Sequence, residues 1–276
     1  MMPARVLKGL IHLMKTSDEM SNEAPGTTTL ATRRSFLRKA AFGAAGVTGV
    51  AAVSAGVLSA FPKTAAHAAT LTKATSNCTD SVQTILNVAA TAEQLAVTFY
   101  TNAIANASDL GISGNNLNYL TNALVEEQLH ENLLLTAGGK TLTSTFSFPY
   151  GEDTFDDINK FVTTLDQLET AFESAYLAAI KEFADQNQSG LAQLAGQIVT
   201  IEAEHRVIGR SILNSIHFPN NRAFTPVYVK SVSDAVNVLA AEGYLSPKSG
   251  NSYTYKAVST SDPHVEQKKP FVTPCS

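Results

Sequence analysis

The sequence predicts an all-α fold: a bundle of four long helices with one long crossover, followed by an irregular C-terminal appendage. Three observations carry this. Apolar residues recur at i, i+3, i+4 and i+7 through four long stretches, the period of a helix with one buried face. The four stretches read as two hairpins of one layout, because Glu93 precedes Glu127 by 34 residues and Glu169 precedes Glu202 by 33. The longest polar and aromatic connection, 138–153, falls between the second and third stretches and is long enough to be a crossover between the two hairpins.

Taken in order, residues 1–68 read as a leader and signal peptide, 69–216 as the bundle and 217–276 as an appendage packed on it. Residues 1–31 show no sustained period, and Met20 opens a more ordinary signal start than Met1. Thr32-Arg33-Arg34-Ser35-Phe36-Leu37-Arg38 looks like a twin-arginine export signal. The moderately apolar stretch Ala40 to Phe61 follows, then Lys63 and the small-x-small site Ala66-His67-Ala68, so the mature chain should begin near Ala69. The stretch is also long enough to span a bilayer as an uncleaved anchor. Its glycines and weakly apolar alanines favour a cleaved signal.

The first helix is expected to start after Thr79 or Asp80, either of which can cap it, and to run to about Ala107. The second spans about Asn115 to Ala137 and stops at Gly138-Gly139. A short helix is expected after Asp153 or Thr154, a third long helix over about 164–187 and a fourth over about 190–214. Beyond His217 the period breaks; Ser233 or Asp234 can cap a short helix ending before Gly243, and Tyr244 to Tyr255 read as a hairpin around Ser249-Gly250-Asn251.

The chemistry lies in Glu126-Glu127-Gln128-Leu129-His130 and Ile201-Glu202-Ala203-Glu204-His205. Residues three apart on a helix share a face, and here that face also carries Leu120, Ala123 and Leu134 in one copy and Leu194, Ile198 and Ile212 in the other. Glu93 and Glu169 sit alone on the apolar stripes upstream, each followed seven residues later by a tyrosine, Tyr100 and Tyr176. Buried carboxylates and imidazoles are costly unless paired or bound to metal. Glu93, Glu127, His130, Glu169, Glu202 and His205 together make a ligand set for two metal ions inside a four-helix bundle. Oxygen and imidazole donors without thiolate suit two iron or manganese ions.

On these residues the sequence resembles the ferritin-like superfamily, and more closely its exported bacterial ferritin-like-domain proteins, over about 79–214. The resemblance implies redox chemistry with a small oxidant, dioxygen or hydrogen peroxide, as ferroxidase or in peroxide removal. It implies Glu126 as the acidic partner of a ligand histidine; the corresponding position in the second half is Ile201, so one histidine is expected to lack such a partner. Tyr100 and Tyr176 can bond to the site, be redox-active or serve as core tyrosines. Glu173 competes with Glu169 but lacks its offsets, Glu131 and Glu204 fall off the stripes and read as solvated, and His217 and His264 read as surface residues. A non-catalytic, stress-associated envelope protein of the same fold is the second reading, supported by Ile201 and the long appendage.

Charge narrows the partners. Residues 1–68 hold eight Lys or Arg and three Asp or Glu, so the remaining 12 basic and 21 acidic residues give 69–276 a net −9. An acidic domain without a basic cluster argues against nucleic acid; the partners expected are the twin-arginine translocation machinery and the oxidant, in a periplasmic or extracellular setting, with the oligomeric state open. Cys78 and Cys275 are too few for a thiolate site or a disulfide framework. If exported, they can pair with each other. No Gly-rich phosphate loop or nucleophile elbow is present, which disfavours a nucleotide enzyme or hydrolase.

Overall fold

A computed structural model describes residues 79–271 apart from 214, 216 and 217. The twin-arginine motif, the cleavage site, Cys78, Cys275 and His217 lie outside the described residues. Among the described residues no helix is long and apolar enough to cross a membrane.

Helix α1 (Val82–Ala105) starts at Ser81, whose hydroxyl accepts from the Thr84 amide at 3.1 Å. The cap is therefore one residue beyond Asp80 and two beyond Thr79. This helix is apolar on nearly all sides and buried almost without break from Ile85 to Tyr100, so its outer face needs a cover as well as its inner one. Helix α2 (Asn115–Thr136) returns beside it and ends at Gly138, whose φ of 102° only glycine adopts freely.

The crossover fills the end of the bundle. Phe146, Phe148 and Phe155 are buried there, and Phe99 and Phe161 stack with centroids 5.2 Å apart. Strand β1 (Thr145–Phe146) precedes a single 3₁₀ turn, Gly151–Thr154. Helix α3 (Ile158–Asp185) then runs as one element from Asp157, whose carboxylate accepts from the Asn159 and Lys160 amides at 2.8 and 3.2 Å. The expected start near 164 is six residues late, because Asp157 outcompetes the earlier caps and Phe161 and Val162 continue the buried stripe. Asn187, with φ 57°, turns the chain into α4 (Ser189–Ser211). The hairpins α1–α2 and α3–α4 pack along their lengths, while α2 and α4 meet only sparsely.

The appendage supplies the missing cover. Helix α5 (Val232–Ala241) lays Val232, Ala235 and Leu239 over the seam of α1 and α3. Its first amides are satisfied from the bundle: Val232 N donates to Glu182 at 3.1 Å and Ser233 N to Asp80 at 2.7 Å. Its flanking cap residue is Ser231, not Ser233 or Asp234. Strand β2 (Tyr253–Thr254) pairs antiparallel with β1, Phe146 opposite Tyr253. The expected local hairpin is thus only a Lys248–Asn251 bridge, and the strand's partner is the crossover. The chain then passes over α2, where Val258 N donates to Gln128 at 2.8 Å, and reaches α4, where Phe271 and Gln197 exchange hydrogen bonds of 2.8 and 2.9 Å.

Candidate metal centre

Each of the four long helices sends one carboxylate inward at mid-bundle. Glu93, Glu127, Glu169 and Glu202 are 0–1% exposed. Leaving ionised carboxylates in such a place costs several kcal/mol, on the order of that for any unpaired buried ion. Helical spacing explains the convergence: Glu127 and His130 on α2, and Glu202 and His205 on α4, are one turn apart on the stripe that also buries Leu120, Leu134, Leu194 and Ile198.

The six side chains form two groups that share two members. Glu93, Glu127, His130 and Glu202 bring one ligand atom each to within 4.8 Å of one another, and Glu127, Glu169, Glu202 and His205 do the same. His130 Nδ1 lies 3.8 Å from Glu93, 3.5 Å from Glu127 Oε2 and 3.4 Å from Glu202 Oε1. His205 Nδ1 lies 2.9 Å from Glu127 Oε1, 3.5 Å from Glu202 Oε2 and 3.9 Å from Glu169. Glu127 and Glu202 thus face both groups with one oxygen each, while Glu93 and Glu169 each face one. The arrangement has near-twofold symmetry, as the repeated hairpin requires.

Around this set the tyrosines cross over. The Tyr100 hydroxyl donates to Glu169, and the Tyr176 hydroxyl donates to Glu93, so each hairpin orients the lone glutamate of the other. Burial first, then the neighbouring carboxylates, push both phenols well above their ordinary range and keep them protonated donors. Glu126 sits outside the set and binds the far side of His205, Oε2 to Nε2 at 2.8 Å.

Charge explains why the cluster suits cations. Burial, then repulsion from Glu127 and Glu202, pushes Glu93 well up. Burial also pushes Glu169 well up, more than the nearby His205 offsets. Glu127 behaves oppositely: burial works upward, but the adjacent His130 and His205 imidazoles, the latter hydrogen-bonded to it at 2.9 Å, hold it well below the usual range. Both imidazoles are raised well above theirs, the carboxylates outweighing burial. Glu93 Oε2, Glu127 Oε2, Glu169 Oε2, both oxygens of Glu202 and His130 Nδ1 have no hydrogen-bond partner among the described residues. Orphaned, inward-facing oxygen and nitrogen atoms of this kind are compatible with a metal site.

Glu131 corrects the sequence reading. It is 1% exposed, not solvated, and accepts from Gln94 at 2.7 Å and from Gln128 and Tyr255. Gln94, Gln128 and Tyr255 were not singled out by sequence; Gln94 within an otherwise apolar helix was the available signal. Glu173 lies off the centre, bonded to Arg206 and Thr225. Glu204 and His264 are exposed.

Residues 81–215 match the family model of the ferritin-like domain. No curated protein and no solved structure gives a match to this chain. The four-helix bundle, its crossover between the second and third helices and its buried carboxylate and histidine cluster are those of a ferritin-like domain compatible with a metal site.

Proposed function

We propose that this ferritin-like chain is an exported dinuclear iron or manganese carboxylate protein that carries out redox chemistry with dioxygen or hydrogen peroxide. The observation that supports it is the sharing of Glu127 and Glu202 between two four-atom ligand groups. Glu127 and Glu202 would be held in common by the two cations and offset their repulsion, with Glu93 and His130 holding one ion and Glu169 and His205 the other. When bound, such an ion pair supplies open coordination positions and a one-electron change at each ion.

The chain's own residues do the rest. Tyr176 and Tyr100 hold the outer carboxylates in place by donating to them. Glu126, whose side chain is 30% exposed, holds the His205 Nε2 proton and links it to solvent. A cavity of 250 Å³ lined by Tyr100, Glu126, Glu204 and His205 offers a molecule the size of dioxygen or peroxide an approach from the surface. Export rests on the Arg33-Arg34 motif; passage of a folded chain through the twin-arginine machinery would let the metals be loaded in the cytoplasm.

The test is oxidant consumption. Protein loaded with iron or manganese is expected to oxidise ferrous iron or consume hydrogen peroxide faster than the metal salt alone, and Glu127→Ala to lose that excess. If the loaded wild type does neither, the non-catalytic envelope reading replaces this one.

A further inference from the structure

The two histidines differ on their outer sides. His205 donates Nε2 to Glu126 and its side chain is 3% exposed, whereas His130 is 13% exposed and its Nε2 has no hydrogen-bond partner among the described residues. The residue corresponding to Glu126 is Ile201, which cannot accept. An imidazole that binds metal through one ring nitrogen almost always donates from the other.

Beside His130 lies a cavity of 470 Å³, bounded by α2, α4 and the segment 265–270. This falls in the range of about 300–1,000 Å³ of small-molecule sites. Its walls are mainly apolar, with Leu129 and Leu133 from α2 and Leu194, Ile198 and Ile201 from α4. The outer wall is anchored: Val265 is buried, Lys268 Nζ donates to the Thr260 and Asp262 carbonyls, and Phe271 pairs with Gln197. Glu126 and Glu266 are balanced by Lys268 and Lys269 around it. Neither sign of charge is favoured, so a neutral ligand fits best.

We propose that this cavity binds a small, neutral, mostly apolar molecule whose phenolic or carbonyl oxygen accepts a hydrogen bond from His130 Nε2. The ligand takes the place that Glu126 fills for His205. Its position one imidazole away from a metal ion rests on the function proposed above; binding itself rests only on the cavity and His130.

The probe is 2-naphthol, compared with naphthalene, which has the same rings and no oxygen. Both are titrated calorimetrically into metal-free and manganese-loaded protein, with the His130 ring ¹⁵N signals followed in the metal-free sample. 2-Naphthol is expected to bind saturably, to shift the His130 Nε2 signal and to bind about tenfold tighter than naphthalene, the effect of one hydrogen bond. Leu133→Trp, which fills the cavity, should abolish binding. Ile201→Glu, which gives His130 an acceptor of the chain's own, should weaken it about tenfold for the same reason. No saturable binding up to millimolar probe, equal affinity for naphthalene, or wild-type affinity in either variant would overturn the proposal. Metal content measured on the same samples separates this outcome from failure of the metal reading: a chain that binds 2-naphthol but takes up no metal keeps the ligand site and loses the dinuclear centre.

Discussion

Glu126 on α2 and His205 on α4 are joined by a 2.8 Å hydrogen bond that crosses a sparsely packed seam of the bundle. It supports the outer nitrogen of one histidine, and Ile201 leaves the other without the same support. The two metal positions are therefore expected to be unequal, the His205 side holding its ion more tightly. Outer-shell partners typically change metal affinity about 10–100-fold, so two macroscopic dissociation constants separated by that factor are expected in a competition titration with a chelator. Glu126→Ala should bring them together.

The crossed tyrosines act on the terminal carboxylates. Tyr176→Phe removes the donor to Glu93 without altering the apolar packing of the ring. The expected loss is about 10–100-fold in affinity at the His130 side, with the His205 side little changed. Tyr100→Phe should do the reverse through Glu169. Equal losses at both sides in either variant would mean that the hydroxyls act on the fold, not on their own carboxylates.

Glu182 gives a pH dependence away from the centre. Burial, then Asp80, raises its carboxyl to about 7. Between its ordinary value of 4.5 and about 7 the folded chain keeps a proton that the unfolded chain has released. Its contribution to stability therefore falls as pH rises through that window, and is fully present below it. Glu182→Gln keeps an oxygen for the Val232 amide and removes the titration. Urea midpoints at pH 5 and 8 should fall less with pH in the variant than in the wild type.

Tyr255 clamps the appendage to α2 through Glu131, and burial with that hydrogen bond pushes the phenol up to about 12. Tyr255→Phe leaves a buried carboxylate with one donor fewer. The expected cost is about 1–3 kcal/mol of unfolding free energy, measured by denaturant melts.

Polar residues on apolar stripes are rare enough that Glu93, Glu127, His130, Glu169, Glu202 and His205 stand out in sequence, and the repeat makes their convergence a matter of geometry. Glu131 did not stand out, because its burial depends on Tyr255, which lies 124 residues away. The same holds for β2, whose partner Phe146 is non-local. Ser81 and Asp157 were missed as caps because several residues nearby could cap equally well, and only the packing of Ile85 and Phe161 decides among them. The periodic pattern reads α1 as a helix with one buried face; its outer face is buried as well, under Val232, Ala235 and Leu239 of a segment far along the chain, which local pattern does not reveal.

The central claim, that the shared carboxylates hold two metal ions, is tested most directly by elemental analysis of the purified protein beside a Glu127→Ala, His130→Ala double variant. The account expects close to two irons or manganeses per wild-type chain and none in the folded variant. A folded wild-type chain that carries no metal and refuses added iron and manganese, or a double variant that still holds two ions, would contradict it.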